Sequence, residues 1–75
     1  MKEDEKGPYI ELADFLKFLG FVPTGGQAKL LIRSGEVKVN GEVETRVRRK
    51  LRNGFIVEHK GNSYTVEIEK FTKNP

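Results

Sequence analysis

The sequence predicts a small α+β domain in which two N-terminal helices pack on a small, mainly antiparallel β-sheet. Three observations support this fold class. Apolar residues recur at helical spacing in the first half of the chain, alternating segments separated by tight-turn residues follow, and a length of 75 residues leaves room for a single core. Helices followed by strands in this order are typical of helices that cover one face of a sheet.

The first helix is predicted from four apolar residues spaced three or four positions apart, Leu12, Phe15, Leu16 and Leu19. Gly20 can end this helix in the left-handed conformation. Because Phe18 also lies at helical spacing from Phe15, both rings are expected in the core. Residues 1–8 are polar and charged, so we expect them to form a flexible arm.

The second helix is predicted to begin at Thr24, which precedes Gln27 by three positions, the spacing of a capping box. It should stop at Gly35. One face carries three apolar residues, Ala28, Leu31 and Ile32. Lys29 and Arg33 lie four positions apart on another face. A helix of about two turns is marginal alone and must pack against the first.

A β-hairpin is predicted around Asn40-Gly41, a pair that suits a tight turn, with strands at 37–39 and 43–45. Glu42 leaves the exact register open. Residues 46–52 are too charged for an ordinary core strand, so we expect a surface connection that is held by Val47 and Leu51.

Two further strands are predicted at residues 55–59 and 63–68, on either side of Gly61-Asn62. Within the second of them Tyr64, Val66 and Ile68 alternate as in a half-buried strand. The sequence therefore predicts one domain over residues 9–70 and a frayed tail over residues 71–75.

The charge of the chain is unevenly distributed, although the formal net charge is only +3. Residues 1–23 carry a net charge of −2 and residues 53–75 a net charge of zero. Residues 24–52 carry +5 and include every arginine of the chain. Arginine matches phosphate geometry and stacks on bases, so this concentration indicates a polyanionic partner.

Two segments of this basic region are candidates for phosphate binding. The turn over residues 24–27 presents helix-terminal amides beside Lys29 and Arg33, although these residues can equally serve as a cap, a turn and a solvated helix face. Residues 46–52 hold five cations in seven positions. Adjacent like charges repel one another unless a polyanion neutralises them, which favours a nucleic-acid partner over a solvated loop. A membrane-surface or localisation role is less favoured, because no bulky apolar face opposes the charges.

Catalysis, metal binding and cofactor binding are not predicted. Cysteine is absent and His59 is the only histidine, so a zinc cluster or a histidine-centred acid–base pair has no second member. Gly25-Gly26 lacks the Gly-Lys-Ser/Thr sequence of a P-loop. No apolar run is long enough to span a membrane and no secretory signal is visible, so we expect a cytoplasmic, non-enzymatic protein.

The run from Thr24 to Val43, followed by Lys50-Leu51-Arg52-Asn53-Gly54 and Ile56-Val57, resembles the small RNA-binding domain named after ribosomal protein S4. The chain looks most like stand-alone bacterial members associated with ribosomes. This resemblance implies an S4-like αL motif in which the helix pair and hairpin form an RNA-binding face. The residues implicated by the resemblance or by the basic segment are Thr24, Gly25, Gly26, Gln27, Lys29, Arg33, Lys38, Arg46, Arg48, Arg49, Lys50 and Arg52.

The chain departs from the family pattern at two points. Gly25 and Gly26 stand where many members have a basic residue, so backbone amides are the expected phosphate donors there. Phe55 stands where many members have aspartate, so the entry to that strand is expected to pack differently.

The predicted function is binding of structured RNA, with ribosomal RNA favoured over transfer RNA, and a role in ribosome assembly or translation. We expect a monomer that can associate with ribosomal particles and has no membrane partner. The alternative is a protein-interaction adaptor that docks on an acidic partner through Phe21, Phe55 or Tyr64 beside the basic rim. The sequence alone leaves this alternative open.

Overall fold

The computed structural model describes residues 8–68, which form two helices and six strands. The helices are α1, Leu12–Phe18, and α2, Gly25–Arg33. The strands are β1, Ile10–Glu11; β2, Val37–Val39; β3, Glu42–Val43; β4, Lys50–Leu51; β5, Ile56–His59; and β6, Asn62–Thr65. Within this range every strand pairing is antiparallel, so the predicted α+β class is confirmed.

Both helices form where the local signals predict them. The Oγ1 atom of Thr24 accepts a hydrogen bond from the Gln27 amide at 3.2 Å, which confirms the predicted cap of α2. Gly20 and Gly35 follow the two helices, and both have a φ of +85°. Glycine adopts this left-handed conformation without steric strain and so ends each helix.

The core prediction for α1 is correct for Phe15 but wrong for Phe18. Phe15 is fully buried together with Leu12 and Leu16, whereas Phe18 is largely exposed. The rotation of the helix places Phe18 beside the apolar face rather than on it. Spacing from a single apolar neighbour was therefore insufficient to predict its burial.

Four strands form one sheet in the order β3-β2-β5-β6. The β2–β3 turn consists of Asn40 and Gly41, whose φ angles of 53° and 89° match the predicted tight hairpin. Val39 lies opposite Glu42, which settles the register that the sequence left open. The β5–β6 turn consists of Lys60 and Gly61, one residue earlier than predicted, and Asn62 already belongs to β6.

A second, two-stranded sheet pairs β1 with β4, and the sequence did not predict it. Ile10 lies opposite Leu51 and Glu11 opposite Lys50. The amides of the first two residues of α1 also donate hydrogen bonds to carbonyls of the arginine-rich segment, to Arg49 O at 2.9 Å and to Val47 O at 3.2 Å. The predicted surface connection is thus partly a strand, and it lies against the start of α1.

One core joins the helices to both sheets. Its buried residues are Leu12, Phe15, Leu16, Ile32, Val37, Val39, Leu51, Val57, Val66 and Ile68. Because residues of α1, α2, β2 and β5 share this core, the helices cover one face of the larger sheet, as predicted. Of the arm expected over residues 1–8, residues 1–7 lie outside the described residues, as does the expected tail. Pro8 is described, and its carbonyl accepts a hydrogen bond from Arg52.

Candidate nucleic-acid interface

The first turn of α2 provides backbone amides that are open to a ligand. Thr24 uses its hydroxyl to satisfy the Gln27 amide, so Gly25 and Gly26 provide the remaining free donors of the helix start. Both glycines are exposed, and a Cβ atom built on Gly25 would meet nothing within 4 Å. The positive end of the helix dipole and these amides can receive an anion.

Lys29 and Arg33 extend this positive end along α2. Both side chains are exposed, while Ala28 and Ile32 bury the opposite face of the helix. Lys38 is exposed on β2 between Val43 and Glu58 of the neighbouring strands. Among residues 8–68, these three cations have no carboxylate oxygen within 4.0 Å. Their charge is therefore available to an external anion.

Arg46 is held by a carboxylate that the sequence analysis did not single out. Its Nε donates to Glu44 Oε2 at 2.8 Å and its Nη2 donates to Glu44 Oε1 at 3.0 Å. The Arg46 backbone amide also donates to Glu44 Oε2 at 3.0 Å. The side-chain hydrogen bonds from Arg46 hold the pKa of Glu44 below its ordinary value of 4.5, although partial burial opposes this shift.

Glu44 also binds Arg49. The Arg49 Nε atom lies 3.6 Å from Glu44 Oε1, and its guanidinium lies 5.5 Å from the centre of the Phe55 ring. Only 20% of the Arg49 side chain is exposed, against 68% for Arg46. A single carboxylate thus organises one outward-facing and one inward-facing arginine.

Among the arginines that form ion pairs in residues 8–68, Arg48 is the most exposed. Its Nε atom lies 3.3 Å from both carboxylate oxygens of Glu11, and 81% of its side chain remains exposed. An ion pair this exposed contributes little to stability, so Arg48 can exchange Glu11 for another anion.

The cationic groups of Lys50 and Arg52 lie near the aromatic ring of Tyr9. The Lys50 Nζ atom is 5.1 Å and the Arg52 guanidinium 5.5 Å from the centre of the Tyr9 ring. Arg52 also donates a hydrogen bond to the Pro8 carbonyl at 3.1 Å. Tyr9 is exposed rather than buried, and these two cation–π contacts connect the start of the domain to β4.

The structure therefore divides the predicted residues into two groups. The cations of α2 and β2 are exposed to solvent and have no carboxylate oxygen within 4.0 Å among the described residues. The cations of the segment 46–52 contact Glu44, Glu11 or the ring of Tyr9. Repulsion within that segment is balanced in part by the chain itself, which weakens the sequence argument that it requires a polyanion. Only the position of Glu44, two residues before Arg46, could have suggested any of these contacts.

His59 and the aromatic residues Phe21 and Tyr64 pack against one another within the fold. His59 is buried in β5, and its ring lies 4.8 Å from that of Phe21, which in turn contacts Tyr64 at 5.1 Å. Within the described part of the chain, no group of three or more histidine or acidic side chains is placed to hold a metal ion. No helix in that part has the length and apolar character needed to cross a membrane.

Proteins of Escherichia coli and Bacillus subtilis are similar to this chain in sequence. YbcJ of Escherichia coli (strain K12) is 48% identical over 61 residues, which cover 81% of this chain and 87% of YbcJ. RlbA of Bacillus subtilis (strain 168) is 42% identical over 52 residues, which cover 69% of this chain and 73% of RlbA. Both names are provisional: YbcJ is named an RNA-binding protein and RlbA a ribosome maturation protein.

A solved structure is similar as well. The solution structure of YbcJ superimposes with a TM-score of 0.61 and 47% sequence identity, covering 83% of this chain and 78% of YbcJ. That structure is described as revealing an αL motif involved in RNA binding. The model of the S4 domain family matches residues 4–67. This match covers most of the chain and agrees with the fold described above, so the chain belongs to the S4 domain family.

Proposed function

We propose that this chain binds structured RNA, ribosomal RNA in particular, through a basic surface to which α2, β2 and the segment 46–52 would contribute. The observation that carries the proposal is the exposure of Lys29, Arg33 and Lys38, which have no carboxylate oxygen within 4.0 Å among the described residues. Arg48 adds a fourth accessible cation. Such a surface suits phosphates.

The binding mode follows from the chemistry of these groups. The free amides of Gly25 and Gly26 would receive one phosphate at the start of α2, and Lys29 and Arg33 would contact phosphates further along the strand. The arginine forks of the segment 46–52 would contact phosphates on a second strand or turn. Because an A-form helix hides its base edges from side chains, recognition would rest on backbone shape more than on sequence.

One relative supports a ribosomal target and another supports RNA binding. RlbA is named as a ribosome maturation protein, and the YbcJ structure contains a motif described as involved in RNA binding. In this proposal the chain contributes binding and no chemistry of its own. Its role would lie in ribosome assembly or translation, where a small basic domain can stabilise one RNA conformation.

The proposal is tested by comparing two lysines on exposed helix surfaces. Lys29→Gln removes a charge from the proposed face, whereas Lys17→Gln removes one from α1, where Lys17 pairs with Asp14 at 3.7 Å. The affinity for an RNA hairpin is measured by fluorescence anisotropy over a series of salt concentrations. Lys29→Gln should weaken binding and flatten the salt dependence by about 0.7–0.9 units, and Lys17→Gln should change neither. Equal effects of both variants would contradict the assigned face.

The adaptor alternative predicts a different outcome. Its aromatic residues Phe21, Phe55 and Tyr64 are partly buried and pack against the core in the structure. A protein complex that survives ribonuclease treatment, together with absent RNA binding, would favour the adaptor.

A further inference from the structure

Glu44 stands out among the acidic residues of the described chain because two arginines converge on it. Only 12% of its side chain is exposed, and its two oxygens receive Nε and Nη2 of Arg46 at 2.8 and 3.0 Å. The Arg49 Nε atom lies 3.6 Å away on the other side. A carboxylate in the middle of a proposed RNA-binding surface should repel phosphate, so its position requires an explanation.

The geometry of Arg46 provides one. The guanidinium has five N–H donors in a rigid fork, and Glu44 occupies only the edge formed by Nε and Nη2. The Arg46 side chain remains 68% exposed while it makes these contacts, so a second anion can reach its guanidinium. A freely rotating arginine side chain loses considerable conformational entropy when it binds a phosphate, whereas a side chain that is already fixed loses much less. Glu44 can therefore reduce the entropic penalty of phosphate binding.

We propose that Glu44 is a positioning residue that fixes Arg46 in the orientation in which it binds RNA phosphate, while the largely buried Arg49 holds Glu44 from its other side. This inference rests on the RNA binding proposed above. Charge alone predicts that removal of a negative charge near RNA tightens binding. Removal of a carboxylate that positions an arginine should instead weaken binding. The low exposure of Glu44 and its bidentate geometry favour the second outcome.

The test uses Glu44→Gln with Glu42→Gln as the matched control. Glu42 is exposed on β3 and has no ion pair in the part of the chain that the structure describes. Both changes remove one negative charge and keep the shape of the side chain. We expect Glu44→Gln to weaken affinity for an RNA hairpin about fivefold. Glu42→Gln should leave affinity unchanged or raise it.

A second measurement separates positioning from a general structural effect. Glu44→Gln is repeated in an Arg46→Ala background, and each variant is checked by its amide NMR spectrum. If Glu44 acts through Arg46, most of the loss should disappear in that background; a loss of the same size with and without Arg46 would overturn the inference. Arg46→Lys provides a variant of unchanged charge that breaks the bidentate pair, and it should also weaken binding.

The outcomes distinguish this inference from the function on which it rests. Tighter or unchanged binding by Glu44→Gln, with normal RNA binding by the unmodified chain, would overturn the positioning role alone. Absence of RNA binding by the unmodified chain would overturn the proposed function and the positioning role together.

Discussion

Replacement of Leu51 by alanine should destabilise the domain severely, because this side chain joins the arginine-rich segment to the core. Leu51 is 0% exposed, lies in β4 opposite Ile10 and belongs to the same core as Phe15 and Val57. Truncation of a buried leucine to alanine costs about 3–5 kcal/mol, from lost transfer energy and from the cavity that remains. A domain of this length has a total stability of roughly 4–11 kcal/mol. The variant should therefore lie close to its unfolding transition.

The assay is urea unfolding followed by circular dichroism, with Leu30→Ala as the matched control. The chemical change is identical, but Leu30 is 70% exposed on α2. The control should change the free energy of unfolding by less than about 0.5 kcal/mol, since surface substitutions rarely exceed that value. A loss below about 1 kcal/mol for Leu51→Ala, or equal losses for both variants, would refute the placement of Leu51 in the core.

Three further substitutions test local features of the fold. Thr24→Ala removes the cap of α2 and should lower the free energy of unfolding by about 1 kcal/mol, with Thr24→Ser restoring most of it. Gly41→Ala should be destabilising by about 1 kcal/mol, because Gly41 has a φ of +89°, whereas Gly25→Ala in open space should be nearly neutral; equal effects would contradict the turn geometry. The pKa of the Glu44 carboxyl is lowered in the folded state. The stability that this carboxylate contributes is therefore fully present above pH 4.5 and is lost as the pH falls through the lowered folded-state pKa. Glu44→Gln should accordingly lose less stability than the unmodified chain on acidification, and identical pH profiles would contradict the Arg46 pairing.

The elements predicted correctly from sequence were those with local signals. Thr24 and Gly35 mark the ends of α2 within one continuous stretch of chain, and Asn40-Gly41 specifies its turn without reference to distant residues. The strand segments around them contain alternating apolar residues whose burial follows from the pleat. Local chemistry therefore determined the order of the helices and of the strands of the larger sheet. Their bounds were less accurate: the strands predicted at residues 43–45 and 63–68 form at Glu42–Val43 and Asn62–Thr65.

The pairing of β1 with β4 could not be predicted in the same way. Each strand is only two residues long, and Ile10 and Leu51 are distant in sequence, so no local pattern links them. The exposure of Phe18 depended on the exact rotation of a short helix. Both features are decided by the packing of the complete core.

The electrostatic contacts of the candidate site were also beyond sequence reasoning. The number of cations in residues 46–52 was visible, but the identities of their partners were not. Arg48 pairs with Glu11 across the β1–β4 sheet, and Tyr9 lies beneath Lys50 and Arg52. A charge pattern predicts where a positive surface lies, whereas the tertiary fold determines which of its charges are already balanced.

The central claim, that the basic surface binds structured RNA, is tested most directly by an amide NMR titration of the labelled protein. An RNA hairpin is added at two salt concentrations, with a matched DNA duplex as control. We expect shifts that cluster at residues 24–33, at Lys38 and at residues 46–52, that are larger with RNA than with DNA, and that salt reduces. Absent or dispersed shifts with RNA, or equal shifts with both nucleic acids, would contradict the central claim.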